Sequence, residues 1–148
     1  MHEVLVEQFI ASFKTAPVEL ALDFEATGNP LYGQQVARFF HDYYYSYCYL
    51  PLYVFCCQQL QCAYLRPCSI DGAKHGAAIL KLLFKRLRLR QRWPQVLIVF
   101  RGDSGFSRQR IIKYCERTDM HYIIGLARRN FFSMKSSIRF VRTAGEVS

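Results

Sequence analysis

The sequence predicts an α/β domain, a mixed β-sheet flanked by helices and incomplete at its C-terminal end, on three observations. Alternating or β-branched apolar runs are interleaved with helix-period stretches. Two of these runs, Tyr47 to Cys56 and Leu60 to Arg66, are joined only by Cys57-Gln58-Gln59, too short for a parallel crossover of a dozen or more residues. The run Val96 to Phe100 is apolar throughout, as expected of a strand buried on both faces. A length of 148 residues suits one domain.

The elements follow in order. From Glu3 to Lys14, Val4, Leu5, Phe9, Ile10 and Phe13 recur at helical spacing until Pro17 ends the pattern, predicting a packing helix. Glu19 to Ala26 alternates as a first strand and is broken by Thr27-Gly28-Asn29-Pro30. The Tyr47–Cys56 and Leu60–Arg66 runs form a hairpin. Ala73 to Arg92 carries one helical stripe, Ile79, Leu80, Leu83, Phe84 and Leu87, surrounded by Lys81, Lys85, Arg86, Arg88, Arg90 and Arg92. Val96 to Phe100 is the fourth strand and leads straight into Arg101-Gly102-Asp103-Ser104-Gly105. Ser107 to Arg117 predicts a helix and Tyr122 to Ala127 a last strand, followed by Arg128 and Arg129. Residues 130–148 are Ser- and charge-rich with little periodicity and are expected to form a divergent, poorly ordered tail.

Lys and Arg number 20 against 11 Asp and Glu, a formal net charge of +9, so the protein's field attracts polyanions and raises non-specific affinity for nucleic acid. Ribosomal, membrane-surface and nuclease-like proteins share this balance, so charge alone names no partner. Cys48, Cys56, Cys57, Cys62, Cys68 and Cys115 include no CxxC pair, which argues against zinc; reduced cysteines packed as small hydrophobes are expected. The longest apolar run, Tyr47 to Cys57, falls short of the about 20 residues a membrane span needs, and no secretory signal opens the chain. A soluble protein without a membrane partner is expected. The tyrosines from Tyr43 to Tyr49 could stack nucleobases, although packing before a hairpin explains them more simply. His2, His41, His75 and His121 lack ligand spacing and are assigned to structure, as is Trp93 beside Pro94.

Asp23 and Glu25 are two apart on a strand, so their side chains leave the same face. The order strand, hairpin, helix, strand, helix, strand fits a ribonuclease-H-like mixed sheet. If the first and fourth strands are central neighbours there, Asp23 and Glu25 meet Asp103 despite their distance in sequence. Carboxylates held together repel unless a divalent cation compensates them, and hard oxygen ligands suit Mg2+ or Mn2+. Two such ions about 3.5–4 Å apart can carry an in-line displacement at a phosphodiester. The plainer alternatives are a solvated strand edge for the acids, a loop capping the next helix through Ser104 or Ser107, and an ordinary solvated face for the basic helix.

Several blocks together resemble the DDE-type transposases of bacterial insertion sequences, transposase DDE domain group 1, insertion-sequence 1380 family. They are LDFEAT followed by GNPLYGQQ, YCYLPLYVFC, CAYLRPCSIDGAKH, and WPQVLIVFRGDSGF running on to YIIGLAR. The likeness covers residues 1–129, which it marks as a partial ribonuclease-H-like catalytic domain. It implies a core that binds two Mg2+ or Mn2+ ions, cuts element ends by activating water and joins the freed 3′-hydroxyl to target DNA. It further implies a homodimer in the full-length family and a bacterial cytoplasmic protein, nucleoid-associated when bound to DNA. Glu25, in the family's D-x-T setting, and Asp103 correspond to the first two catalytic, metal-binding acids, with Asp23 an additional metal-side acid. Arg101, Lys85, Arg88, Arg128 and Arg129 are the candidate DNA contacts. Glu25 departs from the family's Asp, moving the carboxylate outward by roughly 1 Å, and a shift of that size can cost about a hundredfold in rate. The family's third acid lies on a later helix, Glu146 does not match it, and the amino-terminal region that recognises element ends has no counterpart. An inactive, truncated or frame-disrupted copy is therefore expected.

Two rival readings remain. The segment Asp23-Phe24-Glu25-Ala26-Thr27 resembles the nucleophile strand of a haloacid-dehalogenase-like phosphatase, but the hairpin opposes that fold. A degenerate, non-catalytic remnant would keep the fold and the basic surface, and bind DNA only weakly.

Overall fold

The computed structural model describes residues 2–34, 36, 39–41, 46–89 and 93–125. The expectations for Arg90, Arg92, Arg128, Arg129, Glu146, Tyr43, Tyr44, Tyr45 and the segment 130–148 lie outside these residues. Helix α1 spans His2–Ala11 and strand β1 Glu19–Ala26. Short strands β2 (Asn29–Pro30), β3 (Phe39–His41) and β4 (Ser46–Tyr49) follow, then β5 (Leu52–Cys56) and β6 (Gln59–Tyr64). Helix α2, Gly76–Phe84, continues as a π-helical turn over Lys85–Leu89. Strand β7 (Leu97–Gly102), a 3-10 turn (Ser104–Phe106), α3 (Gln109–Arg117) and β8 (His121–Ile124) complete the described chain.

The main sheet has the order β6-β5-β1-β7-β8, with β1 antiparallel to β5 and parallel to β7. Strands β5 and β6 are antiparallel, and β7 and β8 parallel. Chain length between strands dictates these directions. The β5–β6 turn has only Cys57 and Gln58 at its tip, both with positive φ (50° and 68°), the handedness that matches strand twist in a two-residue hairpin. The β7–β8 connection contains α3 and so can carry the chain back to start a parallel strand. The mixed sheet expected from element order, with the first and fourth predicted strands as parallel neighbours beside an antiparallel hairpin, is the one found.

One expected strand is two. Tyr47–Cys56 divides at Leu50-Pro51, and β4 joins β2 and β3 in a separate sheet of order β2-β4-β3 while β5 stays in the main sheet. Proline has no N–H to donate, so a continuous central strand through Pro51 would lose a ladder bond. The second helix begins at Gly76 rather than Ala73, because Ala73 and Lys74 are held in a turn and His75 adopts a left-handed backbone at φ 68°.

One face of the main sheet makes the core. Leu20, Leu22 and Phe24 from β1, Leu52, Val54 and Cys56 from β5, and Ile98 and Phe100 from β7 are all buried against helical residues including Phe9, Leu80, Leu83 and Ile111. Each such large apolar side chain contributes about 1.5–3 kcal/mol relative to exposure. Trp93 is a packing residue as expected, edge-on to Phe9 and Phe13 with ring centroids 6.3 and 5.2 Å away. Among the described residues no helix is long and apolar enough to cross a membrane. All six cysteines are free thiols, buried except Cys57.

Candidate metal centre

Strand alternation turns Leu20, Leu22 and Phe24 into the core and leaves Asp23 and Glu25 on the opposite face. The β1–β7 register pairs Asp23 with Arg101 and Phe24 with Gly102. Glu25 is the next residue of β1 and Asp103 the first residue past β7, where it keeps an extended backbone (φ −73°, ψ −176°). They therefore leave neighbouring parallel strands at one level, where strands lie about 4.8 Å apart.

Phe106 fixes the loop that carries Asp103. It is buried and meets Phe24 and Phe100 with centroids 6.0 and 6.4 Å apart. A Cβ on Gly102 would lie 3.0 Å from the Cβ of Phe106, so a larger residue would push Phe106 back by a few tenths of an ångström, and glycine lets the loop fold back this closely without that shift. Gly125 is comparable: its N–H donates to the Gly102 carbonyl at 3.0 Å, and a Cβ there would stand 3.1 Å from the Ser104 nitrogen. The loop reading for Arg101 to Gly105 is thus right in kind, but the capping group differs. Asp103 Oδ1 accepts from the Gly105 N–H at 2.8 Å, and the N-cap of α3 is Arg108, with no side-chain cap.

The acids differ in what engages them. Glu25 is exposed and Oε1 accepts from the Thr27 hydroxyl at 2.9 Å, which leaves Oε2 for another partner. Asp103 likewise keeps Oδ2. Both oxygens of Asp23 receive the Arg101 guanidinium, from Nε to Oδ1 and from Nη2 to Oδ2 at 2.7 Å. That hydrogen bond pushes the Arg101 guanidinium further up from its ordinary value. Glu25 and Asp103 thus offer two hard oxygens, a donor set suited to a magnesium-like ion whose remaining ligands are water and phosphate. Among the described residues no three His, Cys, Asp or Glu side chains are grouped closely enough to hold a metal.

The basic candidates separate in space. Arg101 lies beside the acids. Lys85 and Arg88 belong to the π-helical turn that precedes Trp93 and the start of β7, whereas the acids follow its end; β7 spans about 20 Å at the usual rise. Arg88 donates from Nε to the Pro94 carbonyl and from Nη1 to the Thr118 carbonyl, both at 3.2 Å, and its neighbour Arg86 pairs with Glu3. Lys85 is exposed.

Three residues of the acid end went unrecognised in the sequence. Arg66 is buried at 1% exposure and donates to the carbonyls of Leu50 (2.8 Å), Gly72 (3.0 Å) and Lys74 (2.6 Å). It ties down the loop before α2, which reaches the end of β1: a Cβ on Gly72 would contact the Ala26 Cβ at 3.6 Å. Within that loop Asp71 accepts from the Ala73 N–H at 2.9 Å and from Arg108 in a two-pronged pair at 2.9–3.1 Å. Burial pushes the Asp71 carboxyl up, but the Ala73 amide and Arg108 outweigh it and hold it below its ordinary value. The only sequence signal for this pair is weak, an Asp-Gly turn before one helix and an arginine at the start of another.

With this geometry in view, the model of the family described as transposase DDE domain group 1 matches residues 1–143. Among solved structures the chain is similar to one described as the Mos1 transposase paired-end complex with left transposon end, at 14% identity and TM-score 0.44, over 82% of this chain and 39% of that one. No curated protein matches significantly.

Proposed function

This chain belongs to the transposase DDE domain group 1 family, and from that premise we propose that it is part of a DNA-transposition core in which Glu25 and Asp103 hold Mg2+ or Mn2+ against a DNA phosphodiester. The observation that carries this reading is the register of β1 and β7, which sends both acids off adjacent strand ends. Thr27 orients Glu25 and the Gly105 amide orients Asp103, each taking one carboxylate oxygen and leaving the other for the ion. Such an ion, when bound, supplies Lewis-acid stabilisation of the attacking and leaving oxygens. Asp23 joins the ligands only by releasing Arg101; while the pair holds, it keeps the guanidinium on the sheet face, where a DNA phosphate can meet it. The remaining parts of the reading rest on the sequence blocks: membership of the insertion-sequence 1380 family, element ends and target as substrates, a dimeric full-length enzyme, cytoplasmic location, and a catalytic domain over 1–129 with a divergent tail.

The 148-residue chain by itself is proposed not to perform strand transfer, because Glu25 replaces the family's shorter acid. Manganese titration by calorimetry tests the site: binding is expected for the chain and is lost in Asp103→Ala. Equal binding by both proteins removes the metal reading. That substitution at Glu25 also favours a second reading, a non-catalytic remnant whose DNA binding falls steeply with salt and is indifferent to Asp103→Ala.

A further inference from the structure

One basic group at the acid end is used by neither the sequence blocks nor the metal reading. Arg108 follows the Asp103 loop and begins α3, so it lies at the end of β7 that bears Asp103. Its partner Asp71 lies in the loop packed on Ala26, at the end of β1 that bears Glu25. The ion pair therefore bridges the two strand ends from which the acids emerge.

The geometry of the pair is one-sided. Nε and Nη2 of Arg108 engage both Asp71 oxygens, while Nη1 has no partner among the described residues and the side chain is 45% exposed. Asp71 is itself fixed, because it accepts from Ala73 in a loop that the buried Arg66 anchors through the Gly72 and Lys74 carbonyls. A guanidinium held along one edge loses little further freedom when its other edge meets a phosphate, and its planar fork matches phosphate oxygens. Arg101 is held by Asp23 in the same two-pronged way and already has its place in the reading above, whereas Arg86 and Arg88 lie beyond the far end of β7.

We propose that Arg108, steered by Asp71, contacts a phosphate of the DNA strand lying at Glu25 and Asp103, an assignment that rests on the function proposed above. Its role is binding and positioning; it takes no proton and forms no bond to the reacting atoms. The pair is half-exposed, so its loss should leave the fold intact.

The test uses the 148-residue chain and a short fluorescent DNA duplex of mixed sequence, with affinity measured by anisotropy across a sodium chloride series in EDTA. Each phosphate neutralised on duplex DNA contributes about 0.9 to the slope of log affinity against log salt. Arg108→Gln is expected to lower the slope by about that 0.9, Arg108→Lys to retain it, and Arg117→Gln, the same charge change at the other end of α3, to leave it unaltered. Asp71→Asn is expected to weaken binding even though it removes a negative charge, because the steering is lost. An unchanged slope in Arg108→Gln, an equal fall in Arg117→Gln, or tighter binding by Asp71→Asn overturns the assignment. Melting curves of each variant check the fold, and Arg108→Lys keeps the charge if Arg108→Gln does not fold. Manganese titration of Asp103→Asn separates the two claims. Lost metal binding with an unchanged Arg108→Gln slope sinks the Arg108 contact alone, whereas retained metal binding with a lowered slope sinks the metal reading and leaves the phosphate contact standing.

Discussion

Replacing Arg66 by methionine removes a cation that the fold keeps almost wholly from water, and it leaves the Leu50, Gly72 and Lys74 carbonyls without their donor. A hydrogen bond to a charged group is worth about 1.5–3 kcal/mol, so these bonds represent a gross loss of roughly 4.5–9 kcal/mol. The variant also escapes a cost. Burial pulls the guanidinium down from its ordinary value, and its Nη2 has no hydrogen-bond partner, so removing the group relieves desolvation that the native protein bears. Methionine fills much of the same volume, which limits cavity formation. A net destabilisation of about 3 kcal/mol is expected, a large fraction of the 5–15 kcal/mol typical of whole domains. With a urea dependence of about 2 kcal/mol per molar, the unfolding midpoint should fall by about 1.5 M. Far-UV circular dichroism and the fluorescence of the lone, buried Trp93 report that midpoint. A midpoint within about 0.3 M of the parent would mean that the three carbonyl bonds contribute nothing net, and the reasoning would fail.

Other outcomes follow from the same geometry. Glu25→Asp should tighten manganese binding by about tenfold, the scale on which misoriented ligands cost metal affinity; equal or weaker binding in calorimetry would count against Glu25 as a displaced ligand. Under native conditions a maleimide should modify Cys57 alone, because the other cysteines are buried and burial pushes the Cys48 thiol up to about 11 and the Cys115 thiol up to about 12; rapid labelling of a second cysteine, read by mass spectrometry, contradicts the packing. The depressed Asp71 carboxyl stabilises the protein above the ordinary carboxylate range, and that contribution is lost as pH falls through its lowered folded-state value. Asp71→Asn should therefore cost about 1 kcal/mol or less at neutral pH and nothing in strong acid, since the pair is half-exposed. Melting temperatures across that range check it, and a gap that widens in acid is the wrong sign.

The elements legible in the sequence are those whose own residues decide them. Strand β1 was readable to its last residue because Leu20, Leu22 and Phe24 alternate with polar or small residues, and β7 because an unbroken apolar run needs cover on both sides. The hairpin was readable because Cys57-Gln58 leaves no room for any other connection. The second sheet was not, since β2 and β3 are too short to show a period, and the proline signal at residue 51 was overridden by the apolar run around it. Arg66 looked like an ordinary polar end to a strand. Its burial depends on carbonyls contributed by Leu50, Gly72 and Lys74, which no local pattern brings together.

The candidate site divides the same way. Asp23, Glu25 and Asp103 were singled out by sequence, because carboxylates near the end of an alternating strand or just past a buried one are visible in the alternation and the turn residues around them, and the family resemblance selected Glu25 and Asp103 among them. Which cations accompany them was decided in three dimensions. Asp23 is paired with Arg101 through the parallel register, Asp71 reaches Arg108 from a different loop, and Lys85 and Arg88 fall about one strand length from the acids. Sequence by itself determined the strands and the hairpin, since these follow from short-range periodicity and turn length, while the family resemblance proposed Glu25 and Asp103 as the acids. Tertiary structure decided the ion pairing and the position of the described basic groups, because Coulomb attraction acts on distance through space, and spacing along the chain does not encode that distance.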